Sequence, residues 1–177
     1  MKNRFKIPYT AFKDNQKSFR KELINVFTKT LDSGRYIAGP ELDKFEKEFA
    51  KYCEVKKATG VANGTCALHL TIKDFNLTSE DEVITAPNSF FSSASSIELG
   101  GAKIIFADVN DDLNINPDEI EKRITKRTKM IMPVHLTGRP AKMKRITEIA
   151  KKHNLIVLED AAQSVGAKYF GKKVGSL

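Results

Sequence analysis

Apolar residues recur along this chain of 177 residues with two different periods. Phe19, Leu23, Val26, Phe27 and Leu31 fall on one helical face, and the helix they predict stops near Ser33-Gly34. Pro40 opens a second predicted helix, whose stripe is Leu42, Phe45, Phe49 and Tyr52. Both stripes read as packing faces. From Lys57 onward, short apolar runs alternate with helical stretches. Strands are predicted over 58–62, 82–86, 103–107, 129–134 and 155–158. Helices are predicted over 64–74, 90–99, 117 to about 124, and 140–153, the last with Met143, Ile146, Ile149 and Ala150 inward. Asn116-Pro117-Asp118-Glu119 combines a cap residue, a proline at the first helical position and an acidic first turn. The segment 168–174 reads as a small hairpin turning at Gly171. Repeated strand–helix units predict an α/β domain, a mostly parallel sheet with helices on both faces. The change of pattern divides the chain into an N-terminal helical segment, 1–56, and a sheet-forming part, 57–177.

Unusual chemistry gathers just after the predicted strands. Asn63-Gly64-Thr65, Pro87-Asn88-Ser89-Phe90, His135 to Gly138, and Glu159-Asp160-Ala161-Ala162-Gln163 each follow one. In an open parallel sheet such segments meet at the carboxyl edge, where ligands bind. Asp160 is the sharpest single residue. A carboxylate at the end of the apolar run Leu155-Ile156-Val157-Leu158, read as a buried strand, needs a partner. A protonated pyridine nitrogen would serve, and so would a lysine, or a capping role for the Ala161-Ala162 turn. Glu159 points to the other side of its strand and reads as structural. Gln163, about one turn on, is placed to bond a ring hydroxyl. Gly64 and Thr65 open a helix, which suits either a phosphate cradle or a plain Asn-capped start. Phe90 suits either a stacking platform or a core aromatic. His135 either lines the pocket or is a satisfied structural histidine, and His69 and His153 look incidental.

Composition narrows the setting. Hydrophobic residues make up 41% and charged residues 29%, the balance of a globular domain. The apolar runs are too short to span a bilayer, and no apolar stretch follows the basic start Met1-Lys2-Asn3-Arg4-Phe5, so a cytoplasmic protein is expected. The net charge of +8 raises the question of nucleic acid. The lysines are spread along helix faces among acids (Lys44, Lys47 and Lys51, for example), without a basic block that alternates with aromatics. A solvated surface that favours anionic small molecules is expected instead, with neither nucleic acid nor membrane as partner. Cys53 and Cys66 lack metal-ligand spacing and read as reduced thiols; no metal site is expected. No GxGxxG follows a strand and no GxxxxGK[ST] occurs, so dinucleotide and Walker-type sites lack their fingerprints.

Several long segments, in order, resemble the DegT/StrS family of PLP-dependent sugar aminotransferases, which belongs to the fold-type I, aspartate aminotransferase-like class. They are SGRYIAGPELDKFEKEFAKYC, GVANGTCALHL, DEVITAPNSFFSSASSIELGGAKIIFADV, RTKMIMPVHLTGRP and LIVLEDAAQSVGAKYFGKKVGSL, so the similarity runs from about Ile7 to Leu177. The resemblance implies that 57–177 is part of the large PLP-binding domain of such an enzyme. It implies pyridoxal 5'-phosphate as cofactor, with Gly64 and Thr65 on its phosphate, Phe90 stacked on the ring, Asp160 on the ring nitrogen and Gln163 on the ring oxygen. It further implies transfer of an amino group from glutamate to a nucleotide-linked keto sugar, in polysaccharide or deoxyaminosugar biosynthesis, by a homodimer. SGRYIAGPE and GVANGT look most like enzymes acting on dTDP-linked 3-keto-6-deoxyhexoses. The family's Schiff-base lysine follows a Gly-Ser-Leu of the kind at Gly175-Ser176-Leu177, and Lys168, Lys172 and Lys173 match nothing catalytic. That lysine and the smaller C-terminal domain are therefore expected past Leu177, and the chain alone is expected to be an inactive N-terminal part. Two alternatives stay open: a PLP- or PMP-dependent sugar dehydratase with histidine at the lysine position, and a non-catalytic relative that acts as a binding partner.

Overall fold

Four parallel strands carry the architecture: β1 (Glu82–Thr85), β2 (Lys103–Phe106), β3 (Thr128–Met132) and β4 (Ile156–Val157), in the order β2-β1-β3-β4. This is a computed structural model of the protein, and it describes Phe12 and residues 16–177. The basic N-terminus and the start of the family similarity at Ile7 lie outside the described residues. The helices are α1 (Arg20–Ser33), α2 (Pro40–Cys53), α3 (Gly64–Asp74), α4 (Phe91–Leu99), α5 (Pro117–Arg123) and α6 (Met143–His153). A two-stranded antiparallel hairpin, β5 (Lys168–Tyr169) and β6 (Lys172–Lys173), turns through Phe170 and Gly171. The chain forms two compact units, residues 1–45 and 46–177.

In the first unit, α1 ends where the sequence predicts. Gly34 adopts a left-handed conformation (φ 64°) and returns its amide to the Leu31 carbonyl. In the second unit, side chains alternate across the sheet as the pleat requires. Ile84 and Ile131 point to one face and pack with Ile120 of α5 and Met143, Ile146 and Ile149 of α6. Val83, Met130 and Met132 point to the other and pack with Leu68 and Ile72 of α3 and Ile97 of α4. Each fully buried isoleucine contributes roughly 2–3 kcal/mol. Helices thus cover both faces, as the alternating pattern predicts.

Two expectations change. Residues 58–62 form no strand. The run is short and interrupted by Gly60, whose amide is taken by the Glu46 carboxylate at 2.7 Å and not by a ladder. The run 155–158 is half-buried, because β4 is an edge of the four-stranded sheet among the described residues. Its ladder does continue past Val157. Leu158 donates to the Ile131 carbonyl, Asp160 donates to the Pro133 carbonyl, and His135 donates to the Asp160 carbonyl. Val134 and Asp160 are paired in parallel as a result. The predicted proline-led helix starts at Pro117, with the Asn116 side chain capping the Asp118 amide.

Candidate functional site

The sheet order reverses between β1 and β3, so the crevice at their carboxyl ends is the expected ligand position. A cavity of about 280 Å³ lies there. The structure brings all five predicted site residues to its wall: Gly64, Thr65, Phe90, Asp160 and Gln163. They arrive from three directions, the start of α3, the turn after β1 and the loop after β4. A neighbouring cavity of about 360 Å³ shares Gly64, Leu68, Asp160 and Ala162 with it, and also has Lys57 and Lys173 in its wall.

The α3 wall presents a helix N-terminus. Asn63 has an extended backbone, and its side-chain oxygen accepts from the Cys66 amide at 3.0 Å while its carbonyl accepts from Ala67. The amides of Gly64 and Thr65 are left at the cavity, together with the partial positive charge of the helix end. A Cβ added at Gly64 would come no closer than 4.0 Å to the Ala162 side chain. The fold therefore does not demand glycine there. What a side chain would occupy is cavity.

Phe90 is 72% exposed, so its reading as a core aromatic does not hold. It stands in the residue before α4, with extended backbone, and presents its ring to the cavity side of the turn. Gln163 is oriented from behind. Its Oε1 accepts the Thr137 amide at 2.8 Å, which leaves the amide nitrogen as a donor.

Asp160 is 7% exposed. Its Oδ1 accepts the Ala162 amide at 3.3 Å and its Oδ2 accepts the Ser93 hydroxyl at 2.8 Å. Among the described residues no lysine or arginine pairs with it; no helix follows, and its Oδ1 caps the turn there through the Ala162 amide, the local role the sequence also offered. A buried carboxylate with two neutral donors and no cation is suited to a cationic ligand atom. Its neighbour Glu159 is satisfied within the protein. Glu159 accepts from His135 Nε2 at 2.9 Å and from the amides of Gly175 and Leu177. His135 is fully buried, and its Nδ1 accepts the Ala141 amide at 3.1 Å, so the proton of this imidazole sits on Nε2. His135 is thus a structural residue and does not line the cavity.

Sequence reasoning missed the serines of α4. Ser93 holds Asp160, its hydroxyl also contacts Ser89 at 2.7 Å, and Ser92 contacts Thr65 at 2.6 Å. The available signal was in FSSASSIEL. Ser92, Ser93 and Ser96 are buried on a helix, where hydroxyls need specific partners. Cys53 and Cys66 are both half-buried free thiols. Among the described residues no cluster of metal ligands forms, and no helix is long and apolar enough to cross a membrane.

A parallel α/β domain with a cavity at its carboxyl-edge switch point, in whose wall Thr65, Asp160 and Gln163 stand, defines a ligand-binding domain, here with the fold-type I architecture of PLP-dependent aminotransferases. The chain belongs to the DegT/DnrJ/EryC1/StrS aminotransferase family, whose model matches residues 17–177. It is 44% identical over 173 residues to the dTDP-3-amino-3,6-dideoxy-alpha-D-galactopyranose transaminase of Aneurinibacillus thermoaerophilus, covering 97% of this chain and 47% of that protein. The crystal structure of DesV from S. venezuelae in complex with a ketimine intermediate superposes with a TM-score of 0.93 at 38% identity, covering 97% of this chain and 46% of that one. A GDP-4-keto-6-deoxymannose-3-dehydratase with a trapped PLP-glutamate geminal diamine superposes with a TM-score of 0.80 at 29% identity, covering 86% and 41%. The chain spans just under half the length of the curated relatives it matches. Pyridoxal 5'-phosphate is the cofactor that goes with this family and fold.

Proposed function

We propose that the protein is a PLP-dependent aminotransferase that moves an amino group from glutamate to a keto sugar carried on a nucleotide, in polysaccharide or deoxyaminosugar biosynthesis. A dTDP-linked 3-keto-6-deoxyhexose is the favoured substrate, supported by the transaminase to which the chain is 44% identical. The observation that carries the reading is Asp160: a buried carboxylate with no cationic partner among the described residues, in a cavity that also holds a helix N-terminus, an exposed phenyl ring and an amide donor. That donor set suits an anionic phosphate, a flat ring, a protonated ring nitrogen and a ring oxygen together. Residues 57–177 then belong to the cofactor-binding domain, with 1–56 as a helical lead, in a cytoplasmic homodimer.

Each residue then has one task. The Gly64 and Thr65 amides and the Thr65 hydroxyl bind the phosphate. Phe90 covers one ring face and excludes water from it. Asp160 holds a proton on the ring nitrogen, because separating a buried carboxylate from its only cationic partner is costly. Gln163 donates to the ring oxygen and sets the in-plane orientation. When bound, the protonated cofactor supplies an electron sink for the carbanion of transamination.

The test is to titrate the full-length protein with PLP by absorbance, then add glutamate and a dTDP-3-keto-6-deoxyhexose. Formation of 2-oxoglutarate with the matching amino sugar is expected. Failure to bind PLP overturns the reading. A second reading, a dehydratase of the same fold, is favoured by the dehydratase structure to which the chain is similar. It would give a deoxygenated sugar without nitrogen.

A further inference from the structure

We infer that Ser89 and Ser93 form a one-way hydroxyl relay that positions the Asp160 carboxylate, which makes Ser93 a positioning residue for the cofactor ring nitrogen; this rests on the PLP reading above. Direction follows from counting protons. An ionised carboxylate has none to give, so in the 2.8 Å contact Ser93 donates to Asp160 Oδ2. That uses the only proton of the Ser93 hydroxyl. The 2.7 Å contact between Ser89 and Ser93 then has one possible sense, with Ser89 donating. Ser93 is 1% exposed, so water does not replace either bond.

The geometry restrains the carboxylate at both oxygens. The Ala162 amide holds Oδ1 and Ser93 holds Oδ2, and these donors come from different elements, the loop after β4 and helix α4. The torsion of the group is therefore set by the packing of α4 on the sheet, through Ile97 against Val83 and Met130. Ser89 and Ser93 both line the cavity, so the relay runs along its wall to the carboxylate. Neutral donors suit this position. They fix the group and leave its charge for the ligand, where a lysine or arginine would neutralise it.

The experiment compares wild type, Ser93→Ala, Ser93→Thr, Ser89→Ala and Asp160→Asn in the full-length protein. It reads the PLP dissociation constant and the ring 15N chemical shift of bound 15N-labelled PLP. Ser93→Ala should bind PLP about tenfold more weakly, the effect of one hydrogen bond to a charged group. Its ring 15N signal should move toward that of unprotonated pyridine. Ser93→Thr, which keeps the hydroxyl, should return both readouts to near wild type. Ser89→Ala should shift both in the same sense by about threefold or less in affinity, the scale of a neutral hydrogen bond one step removed; because Ser89 is only half-buried, this variant tests the relay even if Ser93→Ala folds poorly. Wild-type affinity and wild-type ring shift in Ser93→Ala, with Asp160→Asn altering both, would sink the relay alone. If Asp160→Asn changes neither, or wild type takes up no PLP, the assignment of the site fails and the relay falls with it.

Discussion

Two buried carboxylates mark opposite ends of the same sheet, and they are treated differently. Glu82 opens β1 and is 2% exposed. One oxygen accepts from Arg127 at 2.9–3.0 Å, and the other from the hydroxyls of Thr125 and Thr128. The Thr125 hydroxyl foremost, then Arg127, hold its carboxyl below the ordinary glutamate range against the opposing effect of burial. Asp160, beyond the carboxyl end of β4, has comparable burial but, among the described residues, only a serine hydroxyl and one amide. Glu159 beside it is closed off by His135 and two amides of the chain's last residues. Burial alone therefore does not identify a functional carboxylate. What separates Asp160 from Glu82 is that, among the described residues, no cation meets it.

The largest expected effect breaks that comparison at the carboxyl end. Asp160→Ala in the full-length protein should weaken PLP binding by about 100-fold or more and abolish turnover, the scale of losing a buried charged partner. Near-normal activity would refute the assignment. Glu82→Gln should act on the fold instead. It should lower stability by about 2 kcal/mol in urea unfolding and leave PLP affinity unchanged.

The same residue predicts an acid limb. A carboxyl whose folded pKa lies below its unfolded value contributes stability that is fully present above the unfolded value, 4.5 for glutamate, and is lost as pH falls through the folded one. Unfolding free energies measured between pH 6 and about pH 3 should fall below pH 4.5 in wild type, with a shallower slope in Glu82→Gln. Equal slopes would show that other groups dominate.

Phe90→Ala should weaken PLP binding about fivefold, near 1 kcal/mol for an aromatic contact, with an unchanged melting temperature because the ring is exposed. The smallest effect belongs to Gly64→Ala. The added methyl clears Ala162, so folding should be unharmed, while PLP affinity should drop by about twofold to threefold, less than one full hydrogen bond. Unchanged affinity would remove Gly64 from the cradle.

Much of this was readable before any coordinates. The start of α3 at Gly64, the proline-led α5, the hairpin turn at Gly171 and the gathering of three of the four predicted loops at one cavity all follow from local signals and the topology rule; the fourth, 135–138, does not line it. The failures have a common cause. Residues 58–62 read as a short strand, but a strand exists only where a partner accepts its amides, and Gly60 donates to Glu46 instead. Phe90 read equally well as core or platform, because exposure at a helix start depends on what packs above it.

The periodicities by themselves determined the α/β class, the two helix-lined faces and which loops share an edge, since side-chain alternation and the handedness of crossovers are local or generic properties of the chain. Tertiary structure alone decided which carboxylate is neutralised. The Ser93–Asp160 bond joins residues 67 apart, and Glu82 meets Arg127 across 45. Partners so distant leave no trace in local pattern, and a buried charge is defined by its partners more than by its own position.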